Sequence, residues 1–300
     1  MKIKPVYVEI SIHSEMEKLW DATQTPALHE QWDLRFSSIT YLPKQPNQPQ
    51  RFLYKTNIGF GMNIAGWGES KGIFNGDDGS RTSSLHFRTD QAISLIKEGK
   101  GYWKYEPEQH SITFLTQYHY DVNFGAVGRI FDFFVFRPLM GWATALSFDV
   151  LKRWLEKGEA PSAQYTRFFS QWMITFLFFF VWVYQGLIPK LVTMHPQELS
   201  MAGNLLSVPM NQASTIVFLL GGIEIVFGLT WLLYKNKRRL MGFQIILFPL
   251  LTLFALLADP GSFSHPFNPF TFNAALFTLS IIGFLVSKDI PSAKSCKRKK

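Results

Sequence analysis

Residues 214–234 form a run of 21 residues with a single ionisable side chain, Glu224, at its midpoint. As a helix rising about 1.5 Å per residue, the run spans roughly 30 Å, the thickness of a bilayer's hydrocarbon core. A carboxyl group at that depth costs on the order of 3 kcal/mol or more to insert, so Glu224 is expected to face a bundle interior and to have a partner. Gly221, Glu224 and Gly228 fall on one helical face. Glycines there let a neighbouring helix approach closely, which turns the carboxyl inward.

Three further apolar runs, 168–188, 240–258 and 270–287, approach or reach crossing length. Pro249 predicts a kink in the third span, counted in chain order. The Lys and Arg flanking the four spans set their direction. Lys152, Arg153, Lys157 and Arg167 precede the first, only Lys190 lies between the first and second, and Lys235, Lys237, Arg238 and Arg239 lie between the second and third. The third loop has none, and Lys288, Lys294, Lys297, Arg298, Lys299 and Lys300 follow the fourth span. This alternation predicts a multi-pass cell-membrane protein with both termini in the cytoplasm. Residues 1–166 carry 18 Lys/Arg and 18 Asp/Glu, whereas residues 167–300 carry 12 and 4. All of the excess basicity therefore flanks apolar runs, which argues against a nucleic-acid partner. The basic tip at 297–300 is expected to rest on anionic headgroups. Cys296 is the sole cysteine, so no disulfide or thiolate metal cage forms within one chain. The N-terminal residues contain no apolar run of signal-peptide length, which leaves the first domain on the side where it is made.

The first half reads differently. Residues 3–12 alternate as a strand, 14–22 and 26–32 as short helices, and 51–57, 62–74, 82–88, 95–105 and 111–122 as strands. From 125 to 156 apolar residues recur at helical spacing, with Pro138 predicting a break near Arg137. The expected fold class is an α+β helix-grip domain, an antiparallel sheet around a long C-terminal helix, followed by an all-α four-helix transmembrane bundle. The boundaries fall at 1–157, a linker at 158–167, the bundle at 168–288 and a basic tail at 289–300.

The opening residues 8–14, the Leu19-Trp20-Asp21-Ala22-Thr23 and Trp32-Asp33 stretches and the closing residues 151–156 resemble the SRPBCC superfamily of START-like, polyketide-cyclase-like domains. That resemblance implies a cavity between sheet and long helix. Residues 184–190, 195–198, 221–228 and 267–270 resemble the DoxX-like family of four-helix membrane proteins. The second resemblance implies little about activity, since some DoxX relatives are associated with quinone-linked redox systems.

Two sets of candidate residues follow. The intramembrane polar set is Glu224 with Gln185, Lys190, His195, Glu198, Asp259, Asn268 and Asn273, which the topology places on the non-cytoplasmic side. Glu224 reads either as a proton-relay or ligand-anchoring acid or as packing glue between helices. His195 and Glu198 are three apart, but two ligands beside a proline do not define a metal site, and none is assigned. Lys190 reads as an interfacial residue with its ammonium at the headgroups. The second set, Trp20, Trp32, Phe60, Trp67, Trp103, Tyr118, Phe134 and Trp142, would line the helix-grip cavity and suit a hydrophobic small molecule or lipid, unless these rings are simply core.

No Ser-His-Asp set, P-loop or dinucleotide fingerprint is present, so no catalytic residue is assigned and the chain reads more readily as a binding protein than as an enzyme. Three functions fit the residues. One is a cytoplasmic hydrophobic-ligand or lipid-binding domain tethered to the bundle. Another is a quinone-linked redox or proton-transfer component using Glu224, with a quinone as cofactor and a redox partner, since no haem, flavin or iron–sulfur signature is present. The third is a transporter or structural membrane protein, monomeric or homo-oligomeric.

Overall fold

The computed structural model describes residues 4–46, 48–59 and 61–298. The chain divides into two units, Met1–Tyr165 together with Pro291–Lys300, and Thr166–Ile290.

The first unit is a helix grip. Strands β1 (Val6–Ile12), β2 (Ser38–Tyr41), β3 (Arg51–Gly59), β4 (Met62–Asn75), β5 (Arg81–Arg88), β6 (Ile96–Pro107) and β7 (Ile112–Val122) pair antiparallel, in the order β2-β3-β4-β5-β6-β7-β1. β1 shows why the alternation is diagnostic: Val6, Val8, Ile10 and Ile12 are buried, and the residues between them are not. Helices α1 (Met16–Gln24) and α2 (Pro26–Trp32) follow β1, and Pro26 supplies the first turn of α2. After β7 the chain turns through Phe124 and Gly125, both left-handed, into α3 (Gly125–Phe131). A π-helical turn, Asp132–Phe136, joins α3 to the long helix α4 (Arg137–Lys157). The expected break near Arg137 is this π turn, and Pro138, which has no N–H to donate, follows it directly in the continuing helix. Gly158, at φ +70°, ends the helix.

Rings fill the space between sheet and α4 at one end. Phe148 of α4 stacks on Phe114 with centroids 4.5 Å apart, and Trp32, Trp103 and Tyr105 close around them. Trp32, Phe114 and Phe148 have no exposed surface. Beside this cluster Asp33 is buried and fully engaged. Arg35 donates from Nε to Oδ1 at 2.9 Å and from Nη2 to Oδ2 at 2.6 Å, while the His29 ring lies 3.0 Å from Oδ2. Burial opposes the charge on Asp33, but Arg35 and His29 outweigh it and hold the carboxyl well below the usual carboxylate range.

The chain returns to this unit at its far end. Ser292 N donates to Asp149 Oδ2 at 2.8 Å, Cys296 Sγ lies 3.2 Å from the Ala145 carbonyl oxygen, and β8 (Lys297–Arg298) pairs with Val8 and Glu9 of β1. The tip expected on headgroups is thus, at Lys297 and Arg298, an edge strand of the sheet. Lys299 and Lys300 lie outside the described residues.

The second unit holds four helices long and apolar enough to cross a membrane: Pro161–Val192, Met210–Leu233, Lys237–Ala258 and Pro269–Val286. The first is α5 (Pro161–Gln185) continued by a π-helical segment, Gly186–Val192. A short helix, α6 (Pro196–Leu206), precedes α7 (Met210–Leu233), and α8 (Lys237–Ala258) and α9 (Pro269–Val286) complete the bundle. α8 runs through Pro249 without interruption. Phe178, Trp182, Trp231, Met241, Phe248 and Leu276 form the core. Two of the basic residues in the 235–239 link satisfy helix C-termini: Lys237 donates to the Trp231 carbonyl and Arg238 to the Phe284 carbonyl at 2.6 Å. They place positive charge where the last turn's unpaired carbonyls need it.

Two expectations follow. Asp33→Ala leaves Arg35 buried and uncompensated and should cost about 3–5 kcal/mol, read as a fall in Tm of the detergent-solubilised protein. Because Asp33 must be charged to hold Arg35, its contribution is complete above roughly pH 4 and is lost as pH falls below that. The wild-type Tm should therefore drop more steeply than that of Asp33→Asn over that range, and parallel pH profiles would refute the assignment. Separately, burial pushes the Cys296 thiol up to about 12. The docked tail should then hold roughly a thousandfold less thiolate than a free cysteine and react correspondingly slowly with maleimide at neutral pH. Labelling at the free-thiol rate would show that the tail is not docked.

Candidate functional site

Glycine contact builds the site in the bundle. A Cβ at Gly221 of α7 would stand 2.8 Å from the Gly186 carbonyl oxygen and 2.9 Å from Lys190 Cβ. One at Gly186 would stand 3.1 Å from Glu224 Cβ, and one at Gly228 3.1 Å from the Val183 backbone nitrogen. None of these positions has room for a side chain, so α7 lies directly on the backbone of α5 and its π segment. Within that segment Gly186 and Lys190, four residues apart, are the buried pair. The π turn contains Pro189, which has no N–H, and it closes with Thr193 N donating to Ile188 O at 3.0 Å, five residues back.

This approach brings Lys190 to Glu224. The ammonium lies 3.2 Å from Glu224 Oε2 and 3.1 Å from Glu198 Oε1. The Lys190 side chain is 10 % exposed, Glu224 21 % and Glu198 29 %. Glu198 comes from the first turn of α6, which Pro196 opens and His195 caps, its Nδ1 accepting from Gln197 N at 3.3 Å. α6 is held at the C-terminal end of α8 by Gln197 Nε2 donating to Asp259 Oδ2 at 3.4 Å and Asn204 Nδ2 donating to the Ala258 carbonyl at 3.1 Å. One cation thus stands between two carboxylates, fed by two spans and a loop helix. Lys190, expected to reach out to the headgroups, points inward.

The remaining members of the expected set are dispersed. His195 is an exposed cap, Asp259 ends α8 and receives Gln197, and Asn268 caps α9 by accepting from Thr271 N at 2.9 Å. Asn273 lines an apolar groove of about 430 Å³ with Phe248, Pro249, Thr252 and Phe277. Gln185 is half-buried, immediately before Gly186. Among the described residues no group of three His, Cys, Asp or Glu side chains could hold a metal ion. Gln244 was not among the sequence candidates. It is fully buried in α8, between Met241 and Phe248 of the core, and neither atom of its amide has a partner among the described residues. A lone amide in an apolar span was the available signal.

In the first unit the expected cavity residues separate by face. Trp32 and Trp103 belong to the closed ring cluster, Trp20 packs on Tyr105, and Tyr118 donates to or accepts from Thr144 Oγ1 at 3.1 Å. Trp67 is on the other side of the sheet. It pairs with Arg88, one step out of phase with Gly68↔Phe87↔Gly99 on the inner face, and its ring stands edge-on to His86. The alternation of a strand puts neighbouring residues on opposite faces, so Trp67 cannot share a lining with Trp103. Phe134 is 72 % exposed, Trp142 is half-buried, and Phe60 lies outside the described residues.

What lines the inner face instead is a floor of rings over glycines. The Phe52 ring covers Gly68, Tyr54 covers Gly66, Phe87 covers Gly99, and Tyr118 abuts Gly101. Phe52 and Phe87 remain half-buried. With no Cβ beneath them the rings lie flat on the sheet. Arg35, held by Asp33, stands 5.5 Å from the centre of the Tyr118 ring.

Residues 179–281 match the DoxX-like family. Over the N-terminal half the chain is similar to a STAR-related lipid transfer protein from Xanthomonas axonopodis, with 15 % identity, 50 % of this chain and 85 % of that one covered, and a TM-score of 0.39. It is likewise similar to the hypothetical protein jhp0584 of Helicobacter pylori, at 15 % identity, 50 % and 86 % coverage and a TM-score of 0.39. Across its whole length it is 40 % identical to the uncharacterized membrane protein YndG of Bacillus subtilis, covering 100 % of this chain and 99 % of that one. The chain is a multi-pass membrane protein that belongs to the family of YndG, with a helix-grip domain ahead of a membrane half in which residues 179–281 match the DoxX-like family.

Proposed function

We propose that the bundle is a proton-exchanging component of the cell membrane and that the Glu224–Lys190–Glu198 set is its working site. The observation that carries this is Lys190 Nζ within 3.2 Å of one carboxylate and 3.1 Å of the other. One ammonium balances one carboxylate. In a medium of low dielectric the second needs a proton or another cation, so the set holds one exchangeable positive charge. Packing glue alone would need only one acid. Sidedness follows the Lys/Arg alternation, with unit 1 and both termini in the cytoplasm. It is supported by the first unit containing both the chain entering the first span and the chain leaving the fourth, which calls for an even number of crossings.

A second reading concerns the first unit, as a domain that takes up a hydrophobic small molecule or lipid. The glycine-backed floor of Phe52, Tyr54, Phe87 and Tyr118 favours it, because the half-buried rings of Phe52 and Phe87 offer an apolar bed, with the Arg35 guanidinium as a polar anchor.

Both readings have direct tests. In proteoliposomes with an internal pH dye, wild-type protein should relax an imposed pH gradient faster than Glu224→Gln, and Glu198→Gln should slow it too. Lys190→Met should lower Tm by leaving two half-buried acids unbalanced, and the Lys190→Met/Glu224→Gln double variant should recover part of that loss. Equal proton flux in all variants would reduce the set to a structural one. For the first unit, native mass spectrometry of the full chain should show a co-purifying apolar molecule that Phe87→Arg loses without loss of folding. Identical spectra for the two proteins would rule the floor out as a binding surface.

A further inference from the structure

Residues 124–139 break the rule for a surface helix. A helix lying on a soluble domain buries one apolar stripe and shows water its polar face. Here the buried stripe is Gly128 and Asp132, followed by half-buried Phe136, and apart from Arg129 and Arg137 the rest of the surface is apolar. Val127 is 76 % exposed, Ile130 62 % and Phe134 72 %, and Phe124, Phe131, Phe133, Val135 and Leu139 are exposed beside them. The segment's acid is hidden: Asp132 is fully buried, receives the Tyr120 hydroxyl at 2.6 Å and pairs with Arg137 Nε at 2.8 Å. Arg129 is exposed. Ile93, 60 % exposed, adjoins the segment through Asn123 Nδ2 donating to the Ser94 carbonyl at 2.9 Å.

A continuous apolar surface of this kind marks an interaction site. Three observations select its partner. The chain leaves unit 1 at Tyr165, and the apolar run of the first span begins at Phe168, about 4.5 Å further along the same helix. It comes back at Pro291, five residues after α9 ends at Val286. Both attachments grip the same stretch of α4: Gln164 Nε2 donates to the Val150 carbonyl at 3.1 Å, Ser292 N to Asp149, and Cys296 meets Ala145. Leu139 precedes Ala145 by six residues, roughly 9 Å along that helix. The exposed segment therefore extends from the element on which the chain about to enter the first span and the chain that has left the fourth both pack. Its exposed charge is a cation, which suits anionic headgroups.

We infer that residues 124–139 form an interfacial docking helix that seats its apolar face among the headgroups and upper acyl chains of the membrane the bundle crosses. Phe131, Phe133, Phe134 and Leu139 supply the buried face, and Arg129 meets lipid phosphate. The docking is a property of the surface and holds whether or not the first unit takes up a ligand.

The test uses the full chain in nanodiscs of phosphatidylethanolamine and phosphatidylglycerol, on a Cys296→Ser background. A bimane probe is attached at Phe134→Cys, with a second at Val127→Cys in case the first perturbs folding. A control probe at Asp77→Cys reports the β4–β5 turn. Lipids brominated on the upper acyl chain should quench most of the fluorescence at 134 and 127 and leave position 77 unchanged. Two results would overturn the proposal. Probes at 134 and 127 quenched by aqueous iodide as strongly as position 77 would place the segment in water. Probes shielded from both iodide and brominated lipid would place protein, from this chain or a second copy, over the face.

Discussion

A carboxyl group in the middle of an apolar helix fixes more of this membrane unit than the apolar residues around it do. Apolar side chains are satisfied by lipid from any direction, whereas Glu224 requires one particular cation within about 3 Å to 4 Å. Supplying it demands that α5 and α7 touch along their backbones, which is why Gly186, Gly221 and Gly228 sit where a Cβ would strike the facing helix. It also demands that Lys190 turn inward near the end of its span, which the π segment around Pro189 accomplishes. Glu198 then draws α6 over the pair, and Gln197 and Asn204 fasten α6 to the end of α8. The charge set is both the candidate working site and the reason three helices meet there.

Much of this was legible in the residues. The inward face of Glu224 follows from glycines three before and four after it. The first unit's elements follow from a change of hydrophobic period near residue 125, and a break near Arg137 from Pro138. The partner of Glu224 did not follow, because a lysine at the end of a span has two physical solutions. Its stem can carry the ammonium out to the headgroups, or a local widening of the helix can aim it inward, and only the packed backbone decides between them. The dispersal of His195, Asp259 and Asn268 has a similar cause. His195 and Asn268, each next to a proline at a helix start, serve as caps, and Asp259 at the end of α8 receives Gln197.

The sheet set a different limit. Counting aromatics cannot say which face they occupy, because one residue of slip exchanges the faces. Irregular pairing between Asn57 and Gly59, between Ser70 and Gly72 and between Ile96 and Glu98 introduces such slips. Trp67 lies in a regularly paired stretch, and its register with Leu53 and Arg88 is what places it on the outer face. Phe52, Tyr54 and Phe87 were overlooked because their signal is shared between strands: a ring on one and a glycine opposite it on the next. Two-residue β8 carries no periodicity at all, and its place is set by Asp149, Ala145 and the free edge of β1.

The first unit separates stability from binding along its length. At the Trp32 end, rings in mutual contact and a fully engaged Asp33–Arg35–His29 set leave nothing unsatisfied, and substitution there removes packing directly. At the other end the sheet's inner face carries glycines where side chains would otherwise fill the grip, and the segment before α4 shows apolar surface outward. Such features lower the stability of an isolated domain, since the same positions filled with packed side chains would bury more area. They become favourable only when something apolar lies against them. This unit is continuous in sequence with a membrane span at each of its two junctions, so surface that would promote aggregation in a soluble protein has an apolar phase available to it.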